Sequence, residues 1–95
     1  MKEACVEYGV LLDQFLNQEI SVEEFQEKYL ERFKNERRQL AEPLFELLDG
    51  LFGDVDAFSS DPQLIAEDPG YYLDEMGLRE IVRVVAARLS FLKCD

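Results

Sequence analysis

The sequence predicts an all-α protein, a single-domain antiparallel four-helix bundle with a long acidic loop between its third and fourth helices. Three observations favour this fold. Four segments place apolar residues at the three- and four-residue spacing of an amphipathic helix. The links between the first three segments are short, as in helical bundles. With 95 residues, 47% of them hydrophobic, the chain has enough material for one core and not for two, so residues 1–95 are predicted to form one domain.

The first predicted helix runs from residue 2 to about residue 17. Its apolar residues recur with a period near 3.6, and its charged residues fall largely on the other side. Gly9 weakens this helix by up to about 1 kcal/mol relative to alanine, unless a neighbouring helix approaches closely there. The residues predicted to face the core are Val6, Val10, Leu11, Leu12, Phe15 and Leu16.

The start of the second helix, at Val22, has the clearest local signal in the chain. Ser21 and Glu24 have the spacing of a capping box, in which the serine hydroxyl accepts a hydrogen bond from the Glu24 amide and the Glu24 side chain accepts one from the Ser21 amide. We expect this helix to run toward Gln39. Its predicted inward residues are Phe25, Tyr29, Leu30 and Phe33.

The third helix is predicted over residues 42–52. Pro43 suits the first turn of a helix, where its missing N–H has no intrahelical partner. Gly53 is the predicted stop, because glycine readily adopts the left-handed conformation that closes many helices. A broad apolar stripe predicts contact with more than one neighbour, and the residues predicted to be buried are Leu44, Phe45, Leu47, Leu48, Leu51 and Phe52.

The helical period fails between residues 54 and 73, where Pro62, Pro69 and Gly70 mark turns. We expect a long loop with a short helical turn over residues 62–66, and long loops in compact domains tend to carry function. The residues predicted to attach it to the core are Val55, Phe58, Leu64 and Ile65. Asp74 then caps the fourth helix, whose apolar residues are Leu78, Ile81, Val82, Val85, Leu89 and Leu92.

Acidic residues are concentrated in residues 42–80. This stretch holds eleven carboxylates and one base, Arg79, so nearly all of the formal net charge of −11 lies here. Clustered like charges destabilise a compact state, and solubility alone does not require clustering. The acids are Glu42, Glu46, Asp49, Asp54, Asp56, Asp61, Glu67, Asp68, Asp74, Glu75 and Glu80. Their segregation predicts a surface for a positively charged partner, and an ordinary solvated face is the alternative.

Several function classes are disfavoured by the composition. With no histidine, neither a Ser-His-Asp nor a Cys-His catalytic arrangement is possible, and the commonest zinc ligand is missing. Asp54 and Asp56 begin a superficial EF-hand pattern, but Phe58, Ser59 and Ile65 stand where calcium needs an oxygen ligand, a glycine and a glutamate. We predict no enzyme activity, no cofactor and no metal site. A pI near 4.3 argues against binding nucleic acid.

The ends of the chain bear on its location. No apolar run approaches the roughly 20 residues that span a bilayer, and the first residues have no signal-peptide pattern. We therefore expect a cytoplasmic protein that binds no membrane. Cys5 and Cys94 can meet if the terminal helices pack side by side, but a reducing compartment favours two separate thiols.

Several short motifs carry a resemblance to a known family. They are Ile20, Glu24-Phe25 and Tyr29 in the second helix, Leu51-Phe52, the segment VDAFSSDP at residues 55–62, and LDEMGLR at residues 73–79. In these motifs the chain resembles the colicin D-like immunity proteins, small cytoplasmic inhibitors that protect a bacterium from its own tRNA-cleaving toxin. Residues 63–72 depart from the family pattern, which leaves the toxin that is recognised open.

The resemblance implies a helical bundle without catalytic activity that binds the C-terminal nuclease domain of a toxin, one to one. A nuclease that cleaves tRNA needs basic residues to hold phosphate, so an array of carboxylates can take the place of the phosphates. Asp74 suits helix capping as well as toxin contact. The residues expected to bind the toxin are Asp54, Asp56, Asp61, Asp68, Tyr71, Tyr72, Asp74 and Glu75.

Two other functions fit a small acidic helical protein. One is an acidic adaptor or DNA mimic that binds another basic protein, and the other is an acyl-carrier-like protein. A carrier protein has a modified serine in an Asp-Ser-Leu context at the start of a helix. Here Ser21 follows Ile20, Ser59 and Ser60 precede Asp61, and Ser90 lies inside the fourth helix, so the carrier motif is missing from the sequence.

Overall fold

A computed structural model describes residues 2–59, 61–68, 70 and 72–92. Over these ranges the chain forms five α-helices and no β-strand, which confirms the predicted all-α class. The antiparallel four-helix topology and the single domain stay predictions. The helices are α1 (Lys2–Leu16), α2 (Val22–Lys34), α3 (Glu42–Asp56), α4 (Pro62–Glu67) and α5 (Glu75–Phe91).

The four longer helices pack around a shared hydrophobic core. α1 packs against α2 and α5, and α3 packs against the same two helices. Aromatic rings fill the α1–α2 side: Phe15 stacks on Phe25 with ring centroids 4.4 Å apart, and Tyr8 meets Tyr29 edge-on at 5.9 Å. The radius of gyration is 13.4 Å, close to the value of about 12 Å for a compact chain of this length.

The buried face of α1 differs from the predicted one. Val6 and Val10 are 56% and 51% exposed, so their assignment to the core is wrong. Each residue turns a helix by about 100°, which places both valines on the side opposite Tyr8. The residues of α1 that are buried are Ala4, Tyr8, Leu11, Leu12 and Phe15.

The second helix begins as predicted and ends earlier. The Glu24 amide donates to Ser21 Oγ at 3.1 Å, which confirms the serine half of the capping box. The reciprocal bond to the Ser21 amide is not formed, because the Glu24 carboxylate pairs with Lys28 Nζ at 3.0 Å instead. α2 ends at Lys34 rather than near Gln39. Residues 35–41 then form an irregular link to α3.

The third helix passes through its predicted stop. α3 continues to Asp56, and Gly53 has no positive φ, so the predicted end at Gly53 is wrong. Val55 is fully buried, and packing of this side chain against the core favours a further helical turn. Asp54 and Asp56 therefore lie on a helix and not in a loop. Phe45, in the first turn of α3, is 47% exposed, so its predicted burial is wrong.

A short helix and a β-bridge occupy much of the predicted loop. Asp61 caps α4, close to the expected helical turn. Leu64 on this helix is exposed, so its predicted attachment to the core is wrong. Phe58 and Leu73 form an isolated parallel bridge, in which the Ser59 amide donates to the Leu73 carbonyl at 3.0 Å and the Leu73 amide donates to the Ala57 carbonyl at 2.9 Å. The bridge joins the end of α3 to the start of α5.

Two predictions concern the ends of the chain. Cys5 is disulfide-bonded, so the prediction of two separate thiols is wrong, and Cys94 lies outside the described residues. No helix within those residues has the length and apolar character needed to cross a membrane.

Candidate functional site

The predicted acidic site residues come from the segment where the end of α3 meets the start of α5. Asp54 and Asp56 lie in the last turn of α3, and Asp74 and Glu75 begin α5. The Phe58–Leu73 bridge joins these two helix ends, and Asp61 and Asp68 flank α4 between them. We call this set the acidic end, and it comprises Asp54, Asp56, Asp61, Asp68, Asp74 and Glu75.

A side chain of α2 supports the acidic end. Gln26 Nε2 donates to the carbonyls of Val55 at 3.0 Å and Phe58 at 3.2 Å. Carbonyls at the end of a helix lack intrahelical donors, so these bonds stabilise the exit from α3. The role of Gln26 has no signal in the sequence, because one glutamine on an amphipathic helix has no pattern that distinguishes it from a surface residue.

Two of the acids also cap helices. Asp61 Oδ1 accepts from the Gln63 amide at 2.9 Å, and Asp74 Oδ1 accepts from the Gly77 amide at 2.8 Å. The capping role predicted for Asp74 is therefore confirmed. Both residues are exposed, so the second carboxylate oxygen of each remains accessible to a partner.

Glu75 is held by an ion pair. Its carboxylate lies 3.0 Å from Arg79 Nη2. Arg79 also donates through Nη1 to the Phe15 carbonyl at 2.9 Å, and its guanidinium lies 4.4 Å from the centroid of the Phe15 ring. Arg79 thus connects α5 to the end of α1 and offsets part of the Glu75 charge.

The carboxylates of Asp54, Asp56 and Asp68 make no hydrogen bond or ion pair within the described part of the chain. Asp56 and Asp68 are exposed, and Asp54 is half-buried. Partial burial raises the pKa of the Asp54 carboxyl above its ordinary value, because desolvation penalises the charged form. These three side chains are open to a basic partner.

Of the two tyrosines predicted to bind the toxin, the structure describes one. Tyr72 is half-buried, and its amide donates to the Asp68 carbonyl at 3.3 Å. Tyr71 lies outside the described residues. Tyr72 therefore sits beside the acidic end, where an aromatic side chain of this kind suits a protein interface.

Bases are distributed unevenly along the chain, with six in residues 1–41 and one in residues 42–80. In the N-terminal part, Glu7 and Glu36 each lie 2.7 Å from Arg38, and Glu24 pairs with Lys28. Among the described residues of 42–80, only Glu75 and Glu80 form ion pairs, with Arg79 and Arg83. Over the same described ranges no cluster of acidic or cysteine side chains is arranged to hold a metal ion.

The comparison with protein families finds one that matches residues 4–89, described as bacterial self-protective colicin-like immunity. The match spans every residue of the acidic end. Comparisons with curated proteins and with solved structures find no significant match. Proteins of the matched family are inhibitors rather than enzymes, and membership implies binding of a cognate toxin protein. The chain belongs to the bacterial self-protective colicin-like immunity family.

Proposed function

We propose that this chain is a colicin D-like immunity protein that inhibits a tRNA-cleaving toxin in the cytoplasm. It binds the basic C-terminal nuclease domain of the toxin one to one and covers the active site with an acidic surface that mimics RNA. Family membership supports the role of toxin inhibitor. The acidic end is the observation that favours a nuclease as the toxin. Among the described residues, most of its carboxylates form no ion pair with a basic side chain.

The chemistry of a nuclease explains why such a surface inhibits. An enzyme that cleaves RNA binds phosphates and stabilises developing negative charge with basic side chains. Carboxylates accept hydrogen bonds from the same donors and are held on folded elements, so they compete for the phosphate positions. A basic substrate site therefore offers the acidic end the donors that the chain itself does not provide.

The acids contribute unequally in this proposal. Asp56 is exposed at the last residue of α3 and has no described partner, so it is the principal contact. Asp61 and Asp74 offer one oxygen each because the other caps a helix. Glu75 contributes less, because its ion pair with Arg79 offsets part of its charge.

Inhibition is tested first with the toxin domain that the proposal expects the reading frame immediately upstream of this chain to encode. The chain and that domain are co-purified, and tRNA cleavage is measured with increasing amounts of the chain. We expect a 1:1 complex and a stoichiometric loss of cleavage. A complex that still cleaves tRNA would indicate an adaptor, and the lack of any complex would refute the proposal.

The position of the contact is tested by charge reversal. Asp56→Lys with Asp61→Asn reverses one charge and removes another, and asparagine retains the cap of α4. We expect toxin affinity to fall roughly 30-fold or more, because truncating one member of a buried charged pair costs about 2 to 5 kcal/mol.

The matched control is Glu27→Lys with Glu19→Gln, which gives the same change in net charge. Both residues are exposed and lie outside the acidic end. The control should bind the toxin nearly as the wild type does. Equal losses in the two double variants would show that total charge matters and the acidic end does not, and circular dichroism checks that both remain folded.

A further inference from the structure

An apolar groove of about 800 Å³ lies between α3 and α5. Leu47, Leu51 and Asp54 line it on α3 at helical spacing, and Ile81, Val84 and Val85 line it on α5. The lining residues span about three turns of each helix, from Pro43 to Asp54 and from Glu80 to Phe91, or roughly 16 Å at 1.5 Å per residue. The groove is therefore long enough to hold a short helix or an extended segment.

The centre of the groove is open. Gly50 is one of its lining residues, and a Cβ added there would meet no atom within 4 Å. Val84 is 46% exposed, and Phe91 at the end of the groove is 86% exposed. Apolar surface of this kind on a protein of high net charge is typical of an interaction site.

Acidic side chains edge the groove. Glu46 and Asp54 lie on its α3 side and Glu80 on its α5 side, while Arg88 lies further along α5. Asp54 also belongs to the acidic end, so the two surfaces are continuous. The combination of an apolar floor and an acidic edge specifies a partner that is apolar in the middle and basic at its flanks.

We propose that this groove is a second part of the toxin-binding surface and takes an amphipathic basic segment of the toxin domain. The apolar side chains of that segment enter over Gly50 and Val84, and its Lys or Arg side chains face Glu46, Asp54 and Glu80. The inference rests on the proposed function, since the toxin is the partner.

Charge selects the toxin over other occupants. A second copy of this chain carries the same acidic edge and the same formal net charge of −11, so two copies repel each other. The acidic end and the groove then affect different rate constants of binding. Exposed acids accelerate encounter, and apolar contacts in the groove slow dissociation.

Two variants that leave the charge unchanged test the groove. Val84→Gln places a polar group in it, and Gly50→Leu fills the open space while replacing a glycine inside a helix with a better helix former. We expect each variant to raise the Kd for the upstream-encoded toxin domain by roughly tenfold or more, mainly through faster dissociation. Thermal unfolding checks that Gly50→Leu retains the wild-type stability.

The matched control is Val6→Gln on α1. Val6 is 56% exposed and lies outside the groove, so this variant should bind as the wild type does. Wild-type affinity in both groove variants would overturn the inference while the proposed function stands. Failure of the wild-type chain to bind the toxin domain would overturn both. A wild-type dimer in sedimentation that Gly50→Leu abolishes, with toxin binding unchanged, would assign the groove to a second copy and overturn the inference.

Discussion

Glu36 connects the link between α2 and α3 to α1. Its carboxylate accepts from Arg38 Nε at 2.7 Å and from the hydroxyl of Tyr8 at 2.9 Å, and Arg38 also reaches Glu7 at 2.7 Å. The hydrogen bonds from Arg38, with a further one from Tyr8, lower the pKa of Glu36 from 4.5 to about 2. Burial raises the pKa of Tyr8, which remains a neutral donor to Glu36. These contacts fix residues 36–38 against α1.

The depressed pKa of Glu36 predicts how stability depends on pH. The folded state binds this proton less tightly than the unfolded state, so the stabilisation is complete above about pH 4.5 and is lost as the pH falls toward about 2. We expect Glu36→Gln to lower the free energy of unfolding by about 1 to 2 kcal/mol at pH 7, since Arg38 is partly exposed and screened by solvent. The difference from the wild type should narrow below pH 4.5 in denaturant titrations.

Glu27→Gln is the control for this effect. Glu27 is exposed on α2 and makes no ion pair within the described residues. Its substitution should change the free energy of unfolding by less than about 0.5 kcal/mol at every pH. A constant difference between Glu36→Gln and the wild type from pH 7 to pH 3 would contradict the role given to the Glu36 carboxylate.

At the scale of secondary-structure elements, Gly53 in α3 tests whether a glycine ends the helix or lies within it. Gly53 lies inside the helix, has no positive φ, and a Cβ there would meet nothing within 4 Å. We expect Gly53→Ala to raise the free energy of unfolding by about 0.5 to 1 kcal/mol, because alanine is the better helix former. Thermal or denaturant unfolding measures the change.

The comparison variant is Gly77→Ala in the first turns of α5. A Cβ at Gly77 would lie 3.2 Å from Asp74 Oδ1, the atom that caps this helix. Gly77→Ala should therefore gain less than Gly53→Ala, or lose stability. Destabilisation by Gly53→Ala would instead support the helix end that the sequence predicts at this glycine.

Helix starts were more predictable from the sequence than helix ends. Ser21, Pro43 and Asp74 carry their capping or first-turn role in their own chemistry, and all three act at the expected helix starts. The end of α3 depends on the burial of Val55, which is a tertiary contact that a local glycine signal does not report. Val6 was misassigned for the same reason, because α1 has apolar residues on two faces and packing selects one.

In the candidate site, too, local features are predictable from the sequence and tertiary contacts are not. The acids of residues 54–75 are visible in the sequence, and the cap at Asp74 follows from its position. Which acids have partners depends on three-dimensional neighbours, as the Glu75–Arg79 pair shows. The support from Gln26 spans 29 residues to Val55, and such a contact has no local sequence signal.

Across the whole molecule, nearly all of the formal net charge of −11 comes from residues 42–80. The extents are 43 × 24 × 22 Å, several screening lengths along the major axis at physiological salt. Residues 1–41 hold six bases against nine acids, and residues 42–80 hold one base against eleven acids. We expect this excess of carboxylates to give the acidic end a negative field that attracts the basic partner proposed above.

That field predicts a salt-dependent rate of association with the toxin domain. Raising the salt from 0.1 M to 1 M shortens the screening length from about 10 Å to about 3 Å, so steering by exposed acids weakens. We expect the association rate constant to fall roughly tenfold or more over this range, with a smaller change in dissociation because apolar contacts are less screened. Stopped-flow measurements give both constants. Asp56→Lys with Asp61→Asn should flatten the salt dependence, and Glu27→Lys with Glu19→Gln should flatten it less. An association rate that is independent of salt in the wild type would exclude steering by the acidic end.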